Sequence, residues 1–270
     1  MRTTAKPSWT SGFALLALTL ASLPVGAQNG EAATPRLASG VADLNGTWDN
    51  GSGIDFIEPV LEGDSICLAG CNDPPESGAP AAPLPPDRPR YRPEFQARVD
   101  DLDARQVDED PVLRCFAPGV PRIGPPDKIV QRDTEIVFLY DDVSGNFFRI
   151  VPLDARGHPT DTVPGYLGDA TGRWDGDTLV VETVNFNGET WLTDDGSFHT
   201  PDLRVVERIT RDGDALTWRA TAYDPAVLAE PWNLRPRTAY LTGIEITEAP
   251  PCIERDLGHM VDDSSHDNPR

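Results

Sequence analysis

The chain has 270 residues, 44 of them acidic and 23 basic, for a net charge of −21. A field of that sign repels nucleic acid and anionic lipid, which excludes both as partners. The length fits one large β domain or two small ones.

Arg2 and Lys6 precede an apolar run from Phe13 to Leu23, closed by Pro24 and the small residues Val25-Gly26-Ala27. This pattern predicts a secretory signal peptide over 1–27, because its apolar core is about half the ~20 residues that a bilayer crossing requires. Its removal takes away two basic residues and no acidic one, moving the net charge from −21 to −23. The nearest cysteine is Cys67, so no lipid-anchored cysteine follows the cleavage point and no membrane anchor is expected. The mature protein is expected to be periplasmic or secreted.

An oxidising compartment turns the four cysteines into expected disulfides. Cys67 and Cys71 are close enough to close a small loop, which leaves Cys115 with Cys252. The second bridge would tie the start of the domain to its end, and a loop that long is worth roughly 4 to 5 kcal/mol of chain entropy. A metal reading is weaker, since no second Cys-x-x-Cys or histidine pair accompanies these residues; no metal site and no organic cofactor are expected.

Along the chain, residues 28–42 are small, polar and featureless and are expected to form a disordered leader. A domain over 43–254 follows, opening on Leu44-Asn45-Gly46-Thr47-Trp48, which resembles the Gly-x-Trp first-strand signature of lipocalins, whose tryptophan plugs the barrel floor. A tryptophan buried on an edge strand satisfies the same residues. Prolines crowd 73–93, which is expected to run as an extended surface insert. Phe95, Val99 and Leu102 stand at near-helical spacing and predict one short helix over Glu94 to Asp108.

From residue 127 the pattern changes to short β-branched or aromatic runs separated by turn residues. Strands are expected at 128–132, 135–141, 146–151, 171–175, 178–186, 203–211, 216–223 and 238–246. Asp175-Gly176 and Asp212-Gly213 suit tight hairpins, because glycine takes φ > 0 without cost. No helix of 10 to 15 residues separates the strands, which excludes a parallel α/β sheet. The expected fold is therefore all-β: a single antiparallel lipocalin-like barrel of eight strands with room for one small ligand. The tail over 255–270 is polar and expected to fray, so His259 and His266 are poor site candidates.

The run Arg173-Trp174-Asp175-Gly176-Asp177-Thr178-Leu179-Val180-Val181-Glu182-Thr183, with Phe186-Asn187 and Trp191-Leu192, resembles a large family of uncharacterised exported bacterial proteins. Asp154-Ala155-Arg156-Gly157-His158-Pro159, Val206-Glu207-Arg208, Asp224-Pro225, Pro231-Trp232 and Cys252-Ile253-Glu254 extend the resemblance over Cys115 to Glu254. Ala155 departs from the family's Asp-Gly-Arg-x-His-Pro, and the segment around Cys67 to Cys71 lies outside the resemblance. What the resemblance implies is the barrel; it implies no reaction.

Strand alternation gives Glu182 the same-face neighbours Val180 and Val184, and Glu207 the neighbours Val205 and Ile209. A carboxylate facing an apolar lumen loses hydration and becomes able to exchange protons near neutral pH. A structural ion pair with Arg149, Arg204, Arg208 or Arg219 explains the same acids. His158 and His199 fall in strand-connecting loops, where either, beside Asp154 or Glu207, has the chemistry of a general base, with Arg149 or Arg156 stabilising an oxyanion. A backbone-capping role accounts for each histidine equally. Tyr166, Trp174, Trp191, Trp218 and Trp232 supply aromatic surface, with the loop residues Trp191 and Trp232 the better ligand contacts.

No Gly-x-Ser-x-Gly, phosphate loop or dinucleotide fingerprint is present. Two functions are carried forward. One is a cofactor-independent lyase or isomerase acting on a small hydroxylated or aromatic molecule by general acid/base catalysis. The other is a non-catalytic periplasmic binding protein for a hydrophobic small molecule. The proline-rich insert keeps an interaction or inhibitor module as a third possibility.

Overall fold

The alternating apolar pattern folds as antiparallel strands around a single core. The computed structural model describes residues 34–50, 60–62, 65–67, 87–142, 144–154, 157–249 and 252. Residues 1–27, expected to be a signal peptide, most of the proline-rich insert, Cys71 and the 255–270 tail lie outside the described residues.

The barrel strands are β1 (Gly46–Asp49), β4 (Lys128–Gln131), β5 (Glu135–Asp142), β6 (Gly145–Pro152), β7 (Asp169–Asp175), β8 (Thr178–Val184), β9 (Arg204–Asp212), β10 (Ala215–Tyr223) and β12 (Arg237–Thr242). Between β1 and β4 lie the short pair β2 (Val60–Glu62) and β3 (Ser65–Cys67), which form a separate two-stranded sheet. β11 (Trp232–Asn233) pairs with the end of β10.

Neighbours run in the order β6-β5-β4-β1-β12-β10-β9-β8-β7. Sequential hairpins build two meanders, β4 to β6 and β7 to β10, and β1 inserts antiparallel between β12 and β4 to join them. The ring thus holds nine strands where eight were expected, because the Gly-x-Trp strand takes a place of its own. β6 and β7 complete the ring side by side without a hydrogen-bonded ladder, and we call this junction the seam. Gly172 on β7 permits the approach: a Cβ there would meet Val151 Cγ1 of β6 at 2.7 Å and Leu153 Cδ2 at 2.8 Å.

Both Asp-Gly turns join sequential antiparallel strands, with φ of +61° at Gly176 and +56° at Gly213. β8 ends two residues earlier than its sequence pattern predicts, since Asn185 adopts φ +62° and breaks the extended run. β12 ends at Thr242, where its partner β1 begins.

Strand alternation is strict enough to fill the interior. Phe138, Tyr140, Leu179, Val181, Ile209, Leu216 and Trp218 all point inward and are at most 1% exposed. Each full burial of such a side chain is worth roughly 1.5 to 3 kcal/mol. At one end Trp48 is buried, donates Nε1–H to the Leu44 carbonyl at 3.1 Å and lies under the Arg211 guanidinium, 5.0 Å from the ring centroid. Trp48 is therefore a buried tryptophan on a strand paired on both sides, not on an edge strand.

Helix α1 (Pro93–Ala104) starts on Pro93, whose fixed φ and missing N–H suit a first helical position. A further turn over Gln106–Glu109 completes the helical segment expected from Phe95, Val99 and Leu102. Val99 is buried and Phe95 stands edge-on to Phe198, so the helix packs against the connection between β8 and β9.

The expected disordered leader needs correction from Thr34 onward. Arg36 grips Asp177 through two 2.7 Å contacts at the surface, and Ala42 is fully buried, so this stretch is fixed along the domain and enters the core only at its end. The Cys115–Cys252 disulfide is formed, with Cα atoms 5.7 Å apart, and links the segment before β4 to the segment after β12. The expected Cys67–Cys71 bridge falls outside the described residues.

Candidate functional site

Arg149 comes inward from β6 because alternation places it on the same face as buried Val151. A guanidinium in the core requires a partner, and Glu207 of β9 supplies it. Nη2 reaches Glu207 Oε2 at 2.6 Å and Nη1 reaches Oε1 at 3.1 Å. Nη2 also donates to Thr183 Oγ1 at 2.7 Å, and Nη1 to the Tyr140 hydroxyl at 3.0 Å. Trp218 Nε1–H donates to Glu207 Oε1 at 3.0 Å. Burial alone would lower the Arg149 pKa, but Glu207 and Tyr140 outweigh it and raise it further. Burial also pushes the Tyr140 phenol up, so it stays neutral. Arg149 Nε is buried without a hydrogen-bond partner among the described residues.

Glu182 is corrected from the lumen to the outer face. β8 presents Leu179, Val181 and Thr183 to the core, and Glu182 to the opposite side, with its side chain 45% exposed. Arg204 of β9 holds it at 3.0 Å. His158 Nε2 lies 3.6 Å from Glu182 Oε1 and 3.3 Å from the hydroxyl of Thr171, the residue paired with Glu182 across β7 and β8. His158 Nδ1 is buried with no partner among the described residues. An orphan buried N–H is costly, which favours the tautomer carrying its proton on Nε2.

Beside this cluster a cleft of about 330 Å³ opens along the seam. Phe148 and Ile150 flank Arg149 on β6 and face outward, 64% and 50% exposed. They form one wall, and Leu167, Ala170, Thr171 and Pro159 the other, with Arg149 also reaching the cleft.

The sequence-chosen residues therefore divide into separate groups. Arg149 joins Glu207 inside the barrel, and His158 joins Glu182 outside it. His199 belongs to neither: it is 3% exposed, its Nδ1–H donates to the Thr200 carbonyl at 2.9 Å, and its Nε2 accepts from Thr190 Oγ1 at 2.7 Å. Burial lowers its pKa, so it is a neutral structural histidine. Asp154 lies in the bend after β6, and Arg156 lies outside the described residues.

Among the aromatics, Tyr166 stacks on Phe116 with centroids 5.2 Å apart. Trp174 packs half-buried against the core, and Trp191 is buried in a bridge with Phe198. Trp232 is 7% exposed and donates Nε1–H to Asp87 at 3.2 Å. Trp191 and Trp232 thus serve the fold first, against the expectation that loop tryptophans face a ligand.

Sequence reasoning missed Thr171, Phe148 and Ile150. The signal was present: in Phe148-Arg149-Ile150, either the arginine or both apolar residues must face outward, and a glutamate at an inward position on another strand decides which.

No protein-family description, no curated protein and no solved structure matches the chain.

Proposed function

We propose that this protein is an exported barrel that binds a small, largely apolar molecule in the seam cleft. The observation that carries this reading is the pair Phe148 and Ile150, exposed side by side on one wall of a concave site beside the buried Arg149 Nε, which has no partner among the described residues. Binding sites of ~300 to 1,000 Å³ that are mostly apolar, with a few convergent polar groups, are the ordinary form of small-molecule recognition. Thr171 and Arg149 supply those polar groups here, with His158 behind the Thr171 hydroxyl at 3.3 Å. Export rests on the N-terminal sequence pattern, with the Cys115–Cys252 disulfide in keeping with it.

The lumen, in contrast, is filled by Trp218, Tyr140, Phe138 and the Arg149–Glu207 pair. The test is titration with the neutral fluorophore N-phenyl-1-naphthylamine. Saturable one-to-one binding is expected, weakened at least tenfold in Phe148→Asp and Ile150→Ser with thermal stability unchanged. Equal binding by the variants and the parent protein would overturn the reading.

A second reading, a lyase or isomerase using His158 as its proton-transfer group, is favoured by one observation. Arg204, Glu182 and His158 form a linked series at the cleft's edge, and a carboxylate beside an imidazole orients it for proton transfer. Loss of turnover in His158→Ala, with fluorophore binding retained, supports catalysis; turnover unchanged in that variant excludes it.

A further inference from the structure

At another part of the barrel lies a cleft of about 640 Å³ that neither the buried pair nor the seam uses. In a chain with a net charge of −21, its wall holds four arginines: Arg88, Arg122, Arg235 and Arg237. Three of them are engaged. Arg122 grips Asp110 with two contacts of 2.7 Å each, Arg88 pairs with Asp195, and Arg235 is held through its backbone N–H by Asp87.

Arg237 is different. It begins β12 opposite Trp218 of β10, on the face that alternation shares with buried Ala239, and reaches the cleft from there. Its guanidinium makes no hydrogen bond or ion pair among the described residues, although Asp87 and Asp194 act on it through space, and it does not float free. It lies along Gly124, where a Cβ would stand 2.8 Å from Nη1. Gly124 also has φ +80°, a backbone conformation that favours glycine, so the space a side chain would take from the guanidinium stays open.

We propose that this cleft is a second ligand site, for a small organic monocarboxylate anchored on Arg237. A guanidinium presents its donors in a planar fork that matches a carboxylate through two parallel hydrogen bonds. A dianion such as phosphate is disfavoured, because Asp87, Asp142 and Asp194 line the same cleft and one unpaired cation cannot offset a double charge. The organic body has apolar walls to rest on in Leu192, Leu234 and Pro236. The site is independent of the seam cleft and does not rest on the function proposed for it.

The experiment is calorimetric titration of the full chain with benzoate, and with inorganic phosphate as the contrasting anion. Benzoate is expected to bind one-to-one at millimolar concentration, with affinity reduced at least tenfold in Arg237→Gln and only partly kept in Arg237→Lys. Phe148→Asp, at the seam, is expected to leave benzoate binding unchanged. Absence of saturable benzoate binding, equal affinity in Arg237→Gln, or tighter binding of phosphate would each overturn the proposal. Arg237 makes no hydrogen bond or ion pair among the described residues, so Arg237→Gln is expected to keep the fold, which circular dichroism of the variant checks directly.

Discussion

Arg149 and Glu207 stand 58 residues apart in sequence and meet 2.6 Å apart inside the barrel, with side chains 3% and 0% exposed. The pair spans the closed sheet from β6 to β9, and Tyr140, Thr183 and Trp218 each complete one of its hydrogen bonds. Removing one charge from such a pair leaves the other buried and uncompensated. Glu207→Gln is therefore expected to cost about 3 to 5 kcal/mol in urea unfolding, whereas Arg149→Met with Glu207→Leu recovers much of that loss. A single variant as stable as the parent would show that water reaches the pair.

The seam depends on Gly172 in a comparable way. Its hydrogen atom faces Val151 and Leu153 where any side chain would overlap them. Gly172→Ala is expected to destabilise by about 1 to 3 kcal/mol through overpacking. In a double-mutant cycle, Val151→Ala should relieve part of that cost, giving a favourable coupling energy. Strict additivity would mean that β6 and β7 do not press on each other at this point.

Asp127 offers a test by pH. Burial pushes its carboxyl up to about 6, with Asp141 and Asp142 adding repulsion, while the Asp141 backbone N–H opposes the rise. A folded pKa above the unfolded value means that the native state binds the extra proton, so this contribution is present at low pH and lost as pH rises through 6. The stability of the parent protein relative to Asp127→Asn is expected to fall by about 1 kcal/mol between pH 5 and pH 7.5. The comparison is made by denaturant unfolding at each pH, and a pH-independent difference would contradict a buried, titrating carboxyl.

Eight strands, two Asp-Gly hairpins, the helix around Val99 and the Cys115–Cys252 link are all legible in the chain, because each rests on local chemistry. Period-two alternation marks a strand wherever one face is buried, and glycine marks a turn wherever φ must be positive. The ninth place in the ring was not legible as such. Gly46-Thr47-Trp48 announces a strand but does not say that it lies between β4 and β12.

The site followed the same division. Alternation gave Glu207 and Glu182 alike two apolar neighbours on their own face, but it leaves open which face of a strand meets the core. For Glu182 that is decided by the cross-strand partners: Val181 and Thr183 go inward with Val205 and Glu207, and Glu182 is carried outward with Thr171. Sequence alone thus determined the elements and their periodicity, which depend on residues a few positions apart. Only the tertiary structure decided which acids are dry, which histidine has a carboxylate beside it and where the clefts open, because those properties belong to groups brought together by closure of the sheet.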